Sequence, residues 1–429
     1  MRVEDVVCPF CGCLCDDITV EVEGQKVTRV ENACTLGTAK FQGDERLAAP
    51  IMREGEGWRK ASYEEVIEYT VSILLDADRP LLYGWSGTHG EAQAIGVKIA
   101  ELVSGVIDGT STVCHGPSIL AIQEVGHPGC TLGQVKNRAD LVVYWGSNPT
   151  EAHPRHQSRY TTYADGFFLT DSFRERKVIV VDTRKTQTAA IADEFVQIEH
   201  GGDYAVLSAL RAIVRGKGEI IPRFVSGVER EQLFRIAEIC KNASFGAFFF
   251  GLGLTMTPGK AKNIRNAIEL VDEISRHTKC TISPMRGHWN VYGCNEVFTW
   301  MTGYPYAIDF ARGIAFYNPG ETTAVDILRR EECDACLVVA SDPGAHFPRS
   351  CAQHLSRIPV VQIDPHVNAT TYLCTAQIPV AVTGIDAEGT GYRMDGVPIR
   401  TRKLFSTEYP DDTDVLTRIY NRIREEKGS

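Results

Sequence analysis

From about residue 56 to 375 the chain repeats one pattern. A short apolar run, rich in β-branched and aromatic residues, is followed by a loop holding Gly, Asp or Pro and then by an amphipathic stretch. The runs are Pro80–Gly84, Leu141–Gly146, Lys177–Asp182, Ala247–Gly251, Ala335–Ala340 and Pro359–Asp364. They do not alternate with polar residues, which is the mark of parallel strands covered on both faces. Amphipathic stretches such as Ala92–Val103 and Tyr204–Val214 supply crossover helices. The pattern predicts an α/β fold with doubly wound parallel sheets, whose ligands lie beyond the carboxyl ends of the strands.

The two ends of the chain read differently. Ile18–Val22 and Lys26–Val30 alternate apolar and polar residues around Glu23-Gly24-Gln25, which predicts a β-hairpin inside a small cysteine-rich segment of about 55 residues. From about 376 the pattern gives way to loops and short strands, with a charged helix over Asp414–Lys427.

Composition narrows the class. Of 429 residues, 43% are hydrophobic and 23% charged, as in an ordinary globular protein large enough for several domains. A net charge of -10 argues against a nucleic-acid or anionic-membrane surface. The longest apolar stretch, Phe245–Leu254, is too short to span a bilayer, and the N-terminus lacks a signal-peptide core, so a cytoplasmic location is expected. In a reducing compartment the 14 cysteines serve as metal ligands or buried thiols rather than disulfides.

Five of those cysteines fall within the first 34 residues. Cys8, Cys11 and Cys15 form C-x2-C-x3-C, and Cys34 follows after eighteen residues. Three thiolates from one loop and a fourth from elsewhere suit a four-iron cluster. The alternatives are a structural zinc site, which prefers paired C-x2-C knuckles, and unliganded thiols. Gly12 and Gly37 suit the turns such a loop needs, and Cys13 is expected to point away.

A second signal is Cys114-His115. Side by side, these residues serve nucleophilic catalysis or soft-metal ligation, while a lone cysteine more often packs as a small hydrophobe. Candidate phosphate-cradling turns are Gly84–Gly90, Gly146-Ser147-Asn148, Gly251-Leu252-Gly253 and Ser341–Gly344, each of which can equally be only a turn. Asp182, Asp342 and Asp364 end strands, where a carboxylate can accept from a ribose hydroxyl, and Thr183 and Arg184 follow the first of them. Asp203 is a further candidate or else a helix N-cap. Arg286 offers a planar guanidinium that matches a small carboxylate, or else a structural ion pair. His153 and His156 are an unpromising metal pair, because Pro154 breaks the helix that would align them. His288 and His346 are possible pocket-lining residues.

Taken together, the cluster cysteines, Val113-Cys-His-Gly-Pro-Ser118, Trp145–Pro154, Val181–Ala189 and His200-Gly-Gly-Asp203 resemble the molybdopterin guanine dinucleotide oxidoreductases, the superfamily of formate dehydrogenases and dimethyl sulfoxide reductases. The Cys8-Pro-Phe-Cys-Gly12 opening, the Asp16-Asp17 pair and the short length look like the B subunits of formylmethanofuran dehydrogenases. The resemblance covers nearly the whole chain. It implies a [4Fe–4S] cluster on Cys8, Cys11, Cys15 and Cys34, although the gap before Cys34 is shorter than in typical formate dehydrogenases. It also implies tungsten or molybdenum held by two pterin guanine dinucleotides, a sulfido ligand and Cys114, with His115 and Arg286 lining a formate site.

The fold implied is an iron–sulfur domain (1–55), a discontinuous α/β domain (56–110 and 290–375), an inserted α/β domain (111–289) and a C-terminal segment (376–429) packing on the core, without the C-terminal β-barrel of related enzymes. The function implied, as part of methanogenesis, is the reversible reduction of carbon dioxide to formate. Formate would pass to an amidohydrolase-type A-like subunit for condensation with methanofuran. Other implied partners are a small β-barrel D-like subunit, C-like and polyferredoxin subunits, and an electron donor such as heterodisulfide reductase. The rival readings are another formate dehydrogenase and a non-redox scaffold like that of a methylotroph formyltransferase/hydrolase complex.

Overall fold

In a computed structural model, which describes residues 1–428, each apolar run forms a strand. The chain divides into two units. The first comprises Met1–Val113, His288–Arg393 and the segment from Pro398 onward; the second comprises Cys114–Gly287 and Met394–Val397.

The second unit is built on five parallel strands. In spatial order they are Glu194–Gln197, Lys177–Asp182, Leu141–Trp145, Phe245–Phe250 and Lys279–Pro284. Numbered along the chain, this is the order 3-2-1-4-5 of a doubly wound sheet, and the direction of winding reverses between Leu141–Trp145 and Phe245–Phe250. Leu141, Val143 and Trp145 face a core shared with the helices Gly116–Val125, Asp203–Val214, Arg230–Asn242 and Ala261–Ile274. On the other face Tyr144 stacks on Phe249 and meets His156.

The loops leaving the two strands at the reversal touch backbone to backbone. Gly251 N donates to Trp145 O at 3.1 Å, and Gly253 N donates to Gly146 O at 2.9 Å. A Cβ on Gly251 would lie 2.7 Å from Gly146 O, and one on Gly253 would lie 2.6 Å from Gly146 Cα. No side chain fits there, so these glycines are required by the crossing itself.

The first unit holds a nine-stranded sheet. Its five central strands are parallel: Val106–Gly109, Pro80–Gly84, Ala335–Val339, Val360–Ile363 and Ala376–Ile378. Their order is 2-1-3-4-5, with the reversal between Pro80–Gly84 and Ala335–Val339. Short antiparallel strands finish both edges: Ile308–Asp309 and Phe316–Tyr317 on one side, Ile51–Glu54 and Gly57–Lys60 on the other. The sheet thus runs past residue 375, through the buried strand Ala376–Ile378.

The Tyr63–Asp76, Gly90–Leu102 and Asp412–Lys427 helices cover one face. The last of these is started by a capping box of Asp411 and Asp414 and buries Val415, Leu416, Ile419 and Ile423 in the core. The expected hairpin is present and gains a third antiparallel strand, Arg2–Val6, with Gly24 at φ +59° in the turn. Among the described residues, no helix is long and apolar enough to cross a membrane.

Candidate active site

The chemistry of the second unit gathers where its strands end. Cys114 and His115 immediately precede the Gly116–Val125 helix, in which Pro117 sets the first turn. The His115 ring is fully buried. Its Nε2 lies 3.1 Å from Met285 O and its Nδ1 lies 2.9 Å from Ser118 Oγ. A carbonyl only accepts, so Nε2 carries the hydrogen and Nδ1 accepts from the Ser118 hydroxyl. Burial, aided by the charge of Arg286, pushes His115 down to about 3, so the ring is neutral. Cys114 is half-buried in a recess that pushes its thiol up to about 11, a rise that the Arg286 guanidinium opposes.

Arg286 is only 6% exposed. It follows the edge strand Lys279–Pro284, and the loop is fastened atom by atom. Met285 N donates to Phe250 O at 2.8 Å, Ser147 Oγ meets Met285 Sδ at 3.0 Å, and His153 Nε2 lies 2.9 Å from Arg286 O. Arg286 also helps burial to lower His127. Cys114, His115 and Arg286 are therefore brought together, joined by Ser118, His127 and His153. Ser118, three residues after His115 at a helix start, could have been read from spacing. The tie from His153 spans 133 residues and has no local signal.

The nucleotide candidates separate by what they already hold. Gly146, Ser147, Gly251 and Gly253 form the stripped crossing at the reversal of the five-stranded sheet. Asn148 Oδ1 accepts from Thr188 Oγ1 at 2.6 Å, while its Nδ2 is buried without a partner among the described residues. Asp182 accepts from Arg184 N and Thr183 Oγ1, and both Thr183 and Arg184 are exposed. Asp203 is not the N-cap, a position taken by Gly202. Its carboxylate instead turns inward and accepts from Trp145 Nε1 at 2.8 Å and Thr257 Oγ1 at 3.1 Å.

In the first unit, Ser341 lies against the position a Cβ on Gly84 would occupy, and its carbonyl accepts from Gln362. Asp342 accepts from Thr370 N at 2.8 Å and Thr370 Oγ1 at 2.6 Å. Asp364 sits in a recess near Asp342 and Asp412, and burial with these like charges pushes it up to about 7. His288 and His346 face each other with ring centroids 6.4 Å apart. His153 and His156 lie outside any common helix, as Pro154 requires, and serve separate neighbours.

Cys8, Cys11, Cys15 and Cys34 converge in the first unit. Burial pushes the Cys8 thiol well up, reinforced by the charges of the other three. Cys8 N donates to Cys15 O and Leu14 N to Cys11 O, which closes the loop. Leu14, not Gly12, takes the left-handed conformation, and Gly37 lies in the first turn of the Thr35–Gln42 helix. Gly37 N donates to Cys34 Sγ at 3.4 Å, and a Cβ on Gly37 would be 3.4 Å from Cys8 Sγ. Cys13 is fully buried, and its thiol donates to the sulfur of Cys11.

Among the described residues, no three His, Cys, Asp or Glu side chains are placed to hold a single metal ion. Cys8 feels the charges of Cys11, Cys15 and Cys34, and an N–H is aimed at the Cys34 sulfur, a donor set of the kind a four-iron cluster would use.

Two doubly wound units with Cys114 in a recess beside Arg286 are in keeping with a molybdopterin oxidoreductase, and that family matches residues 46–222. The chain is 50% identical over 432 residues, 99% of each chain, to the B subunit of the tungsten-containing formylmethanofuran dehydrogenase 2 of Methanocaldococcus jannaschii. It is 47% identical over 431 residues, again 99% of each, to the corresponding chain of Methanococcus maripaludis. The chain belongs to the family of formylmethanofuran dehydrogenase B subunits. Its fold is shared with a chain of the formyltransferase/hydrolase complex (FhcABCD) from Methylorubrum extorquens, solved in complex with methylofuran. That match has a TM-score of 0.74 at 19% identity and covers 89% of this chain and 100% of that one.

Proposed function

We propose that the chain is the redox subunit of a formylmethanofuran dehydrogenase and reversibly joins carbon dioxide, two electrons and one proton to give formate. The observation that supports this most directly is the buried guanidinium of Arg286, close enough to Cys114 to act on its thiol. A planar guanidinium can donate to both oxygens of formate at once, fixing its carbon in one orientation. When bound, a tungsten or molybdenum ion on two pterin guanine dinucleotides, a sulfido ligand and Cys114 supplies the two-electron chemistry, and a [4Fe–4S] cluster on Cys8, Cys11, Cys15 and Cys34 passes electrons singly.

The protein's own part is binding and orientation. Gly146, Ser147, Asn148, Asp182, Thr183, Arg184, Asp203, Gly251 and Gly253 serve one dinucleotide, and Ser341, Asp342 and Asp364 the other. Of these, Asp203 and Asp342 act mainly by shaping the loops, since their oxygens are engaged within the protein. His115 encloses the pocket as a neutral ring, and it can move a proton only by releasing Ser118 or Met285. The chain works in a hetero-oligomer. An A-like hydrolase subunit takes the formate to methanofuran, a D-like barrel subunit completes the pterin site, and C-like and polyferredoxin subunits join them.

Anaerobically purified protein should hold about four irons and stoichiometric tungsten or molybdenum. Cys114→Ala should keep the iron, lose the heavy metal and lose formate oxidation with a viologen acceptor. Zinc in place of both metals, or undiminished formate oxidation by Cys114→Ala, would overturn the reading.

A further inference from the structure

We infer that His153 is a positioning residue for substrate binding: it holds the backbone carbonyl of Arg286 and thereby sets where the guanidinium points. This rests on the reading of Arg286 as the formate-binding residue.

The edge strand explains why the loop needs holding. Lys279–Pro284 pairs with a neighbour on one side only. The last ladder bond runs from Met285 N to Phe250 O, and beyond it no strand fixes the backbone. Two consecutive carbonyls then point to two histidines from different parts of the chain. Met285 O meets His115 Nε2 at 3.1 Å, and Arg286 O meets His153 Nε2 at 2.9 Å. Each ring must carry its hydrogen on Nε2, because each partner can only accept.

The sequence delivers His153 to this place. Asn148 ends the loop after Leu141–Trp145, and Pro149 starts the four-residue helix Pro149–Ala152. His153 N closes that turn on Pro149 O at 2.8 Å. Pro154 then bars helical geometry at His153, which takes φ -142° and ψ 66°. The ring leaves the helix axis and lies buried at 2% exposure. Among the described residues, its Nδ1 has no hydrogen-bond partner. Among those residues, the single polar bond this buried imidazole makes is thus the one to Arg286 O. A buried polar ring with one partner is costly to keep for packing alone, and binding groups need to stay within about 0.5 Å of their productive place.

The test uses a matched pair of variants in the whole complex. In His153→Gln the amide nitrogen sits about where Nε2 was; in His153→Asn it stops one bond short. The Asn variant should raise the KM for formate about tenfold, the loss of roughly one hydrogen bond's worth of positioning. Its kcat at saturating formate and its iron and tungsten or molybdenum content should hold. Amide hydrogen exchange in the peptide carrying residues 285–287 should quicken in the Asn variant. The Gln variant should match the wild type in both readouts.

Asn and Gln variants that behave alike, whether both normal or both impaired, would sink the assignment of His153. Arg286→Lys separates this inference from the reading beneath it. If Arg286→Lys leaves the KM for formate unchanged, the formate site itself is misplaced. If Arg286→Lys raises it and His153→Asn does not, only the role of His153 falls.

Discussion

In the five-stranded sheet of the second unit the winding reverses between Leu141–Trp145 and Phe245–Phe250. In the nine-stranded sheet of the first unit it reverses between Pro80–Gly84 and Ala335–Val339. Both crossings are closed by glycines that leave no space for a Cβ, yet they do so differently. Gly251 and Gly253 meet the Gly146 loop across the gap, whereas Gly84, at φ +124°, would put a Cβ 2.1 Å from Val339 O. The residues around them diverge further. The second unit places Cys114, His115 and Arg286 near its strand ends, while Asp342 in the first unit spends its carboxylate on Thr370. One winding rule therefore gives two strand-end clefts, one carrying reactive groups and one already tied to its own backbone.

The largest expected effect tests the glycine crossings. Gly84→Ala meets both a forbidden conformation and a backbone oxygen, so it should cost more than about 4 kcal/mol and lower the yield of folded protein. Gly251→Ala has an ordinary φ and a milder clash at 2.7 Å, and should cost about 2–3 kcal/mol. Denaturant unfolding would rank the two; equal and small effects would show that the crossings yield easily and end the parallel.

A smaller effect sharpens the contrast between carboxylates. Asp203→Ala strands the buried Trp145 Nε1–H and should cost about 2–3 kcal/mol. Asp342→Ala, at a half-exposed site, should cost about 1 kcal/mol. If Asp342→Ala proves the worse of the two, the ranking of the clefts by burial is mistaken.

The smallest effect concerns Glu91 in the first unit. Its carboxylate accepts from His89 and from Thr390 N and Oγ1, and pairs with Arg400. The His89 bond comes first among the causes that hold it well below the usual carboxylate range. A folded-state pKa below the unfolded value means a contribution that is full above about pH 4.3 and fades on acidification. Because 42% of the side chain is exposed, the contribution should be only about 0.5–1 kcal/mol. The melting-temperature gap between wild type and Glu91→Gln should narrow from pH 7 to pH 3; a constant gap would rule the linkage out.

Much of the fold could be read because strands covered on both faces write themselves as unbroken apolar runs. Leu141–Trp145 and Ala335–Val339 are clear for that reason. Val106–Gly109, Glu194–Gln197 and Ala376–Ile378 are short and carry polar residues, so no unbroken apolar run marks them. Cys114, His115 and Arg286 could be named from their motifs. What the glycines do could not: Gly146 and Gly253 need each other, and 107 residues separate them. Nor could Asp203, whose place at a helix start suggests a cap until Trp145 is seen to claim it. A motif identifies a reactive atom, whereas the atom that steadies it is found only once the chain is closed.

The two units also differ in when they can form. Nearly all of the second unit is one continuous stretch, Cys114–Gly287. The first unit draws strands from before and after that stretch, and its core is filled by Val415, Leu416, Ile419 and Ile423. During synthesis the inserted unit can therefore fold while its host still lacks a helix. The strand Pro80–Gly84 can pair early with Val106–Gly109, but its other edge must wait for Ala335–Val339 to leave the ribosome some 250 residues later. Until then that edge stands open, and a chaperone or a slow pause in translation would find its natural point of action there.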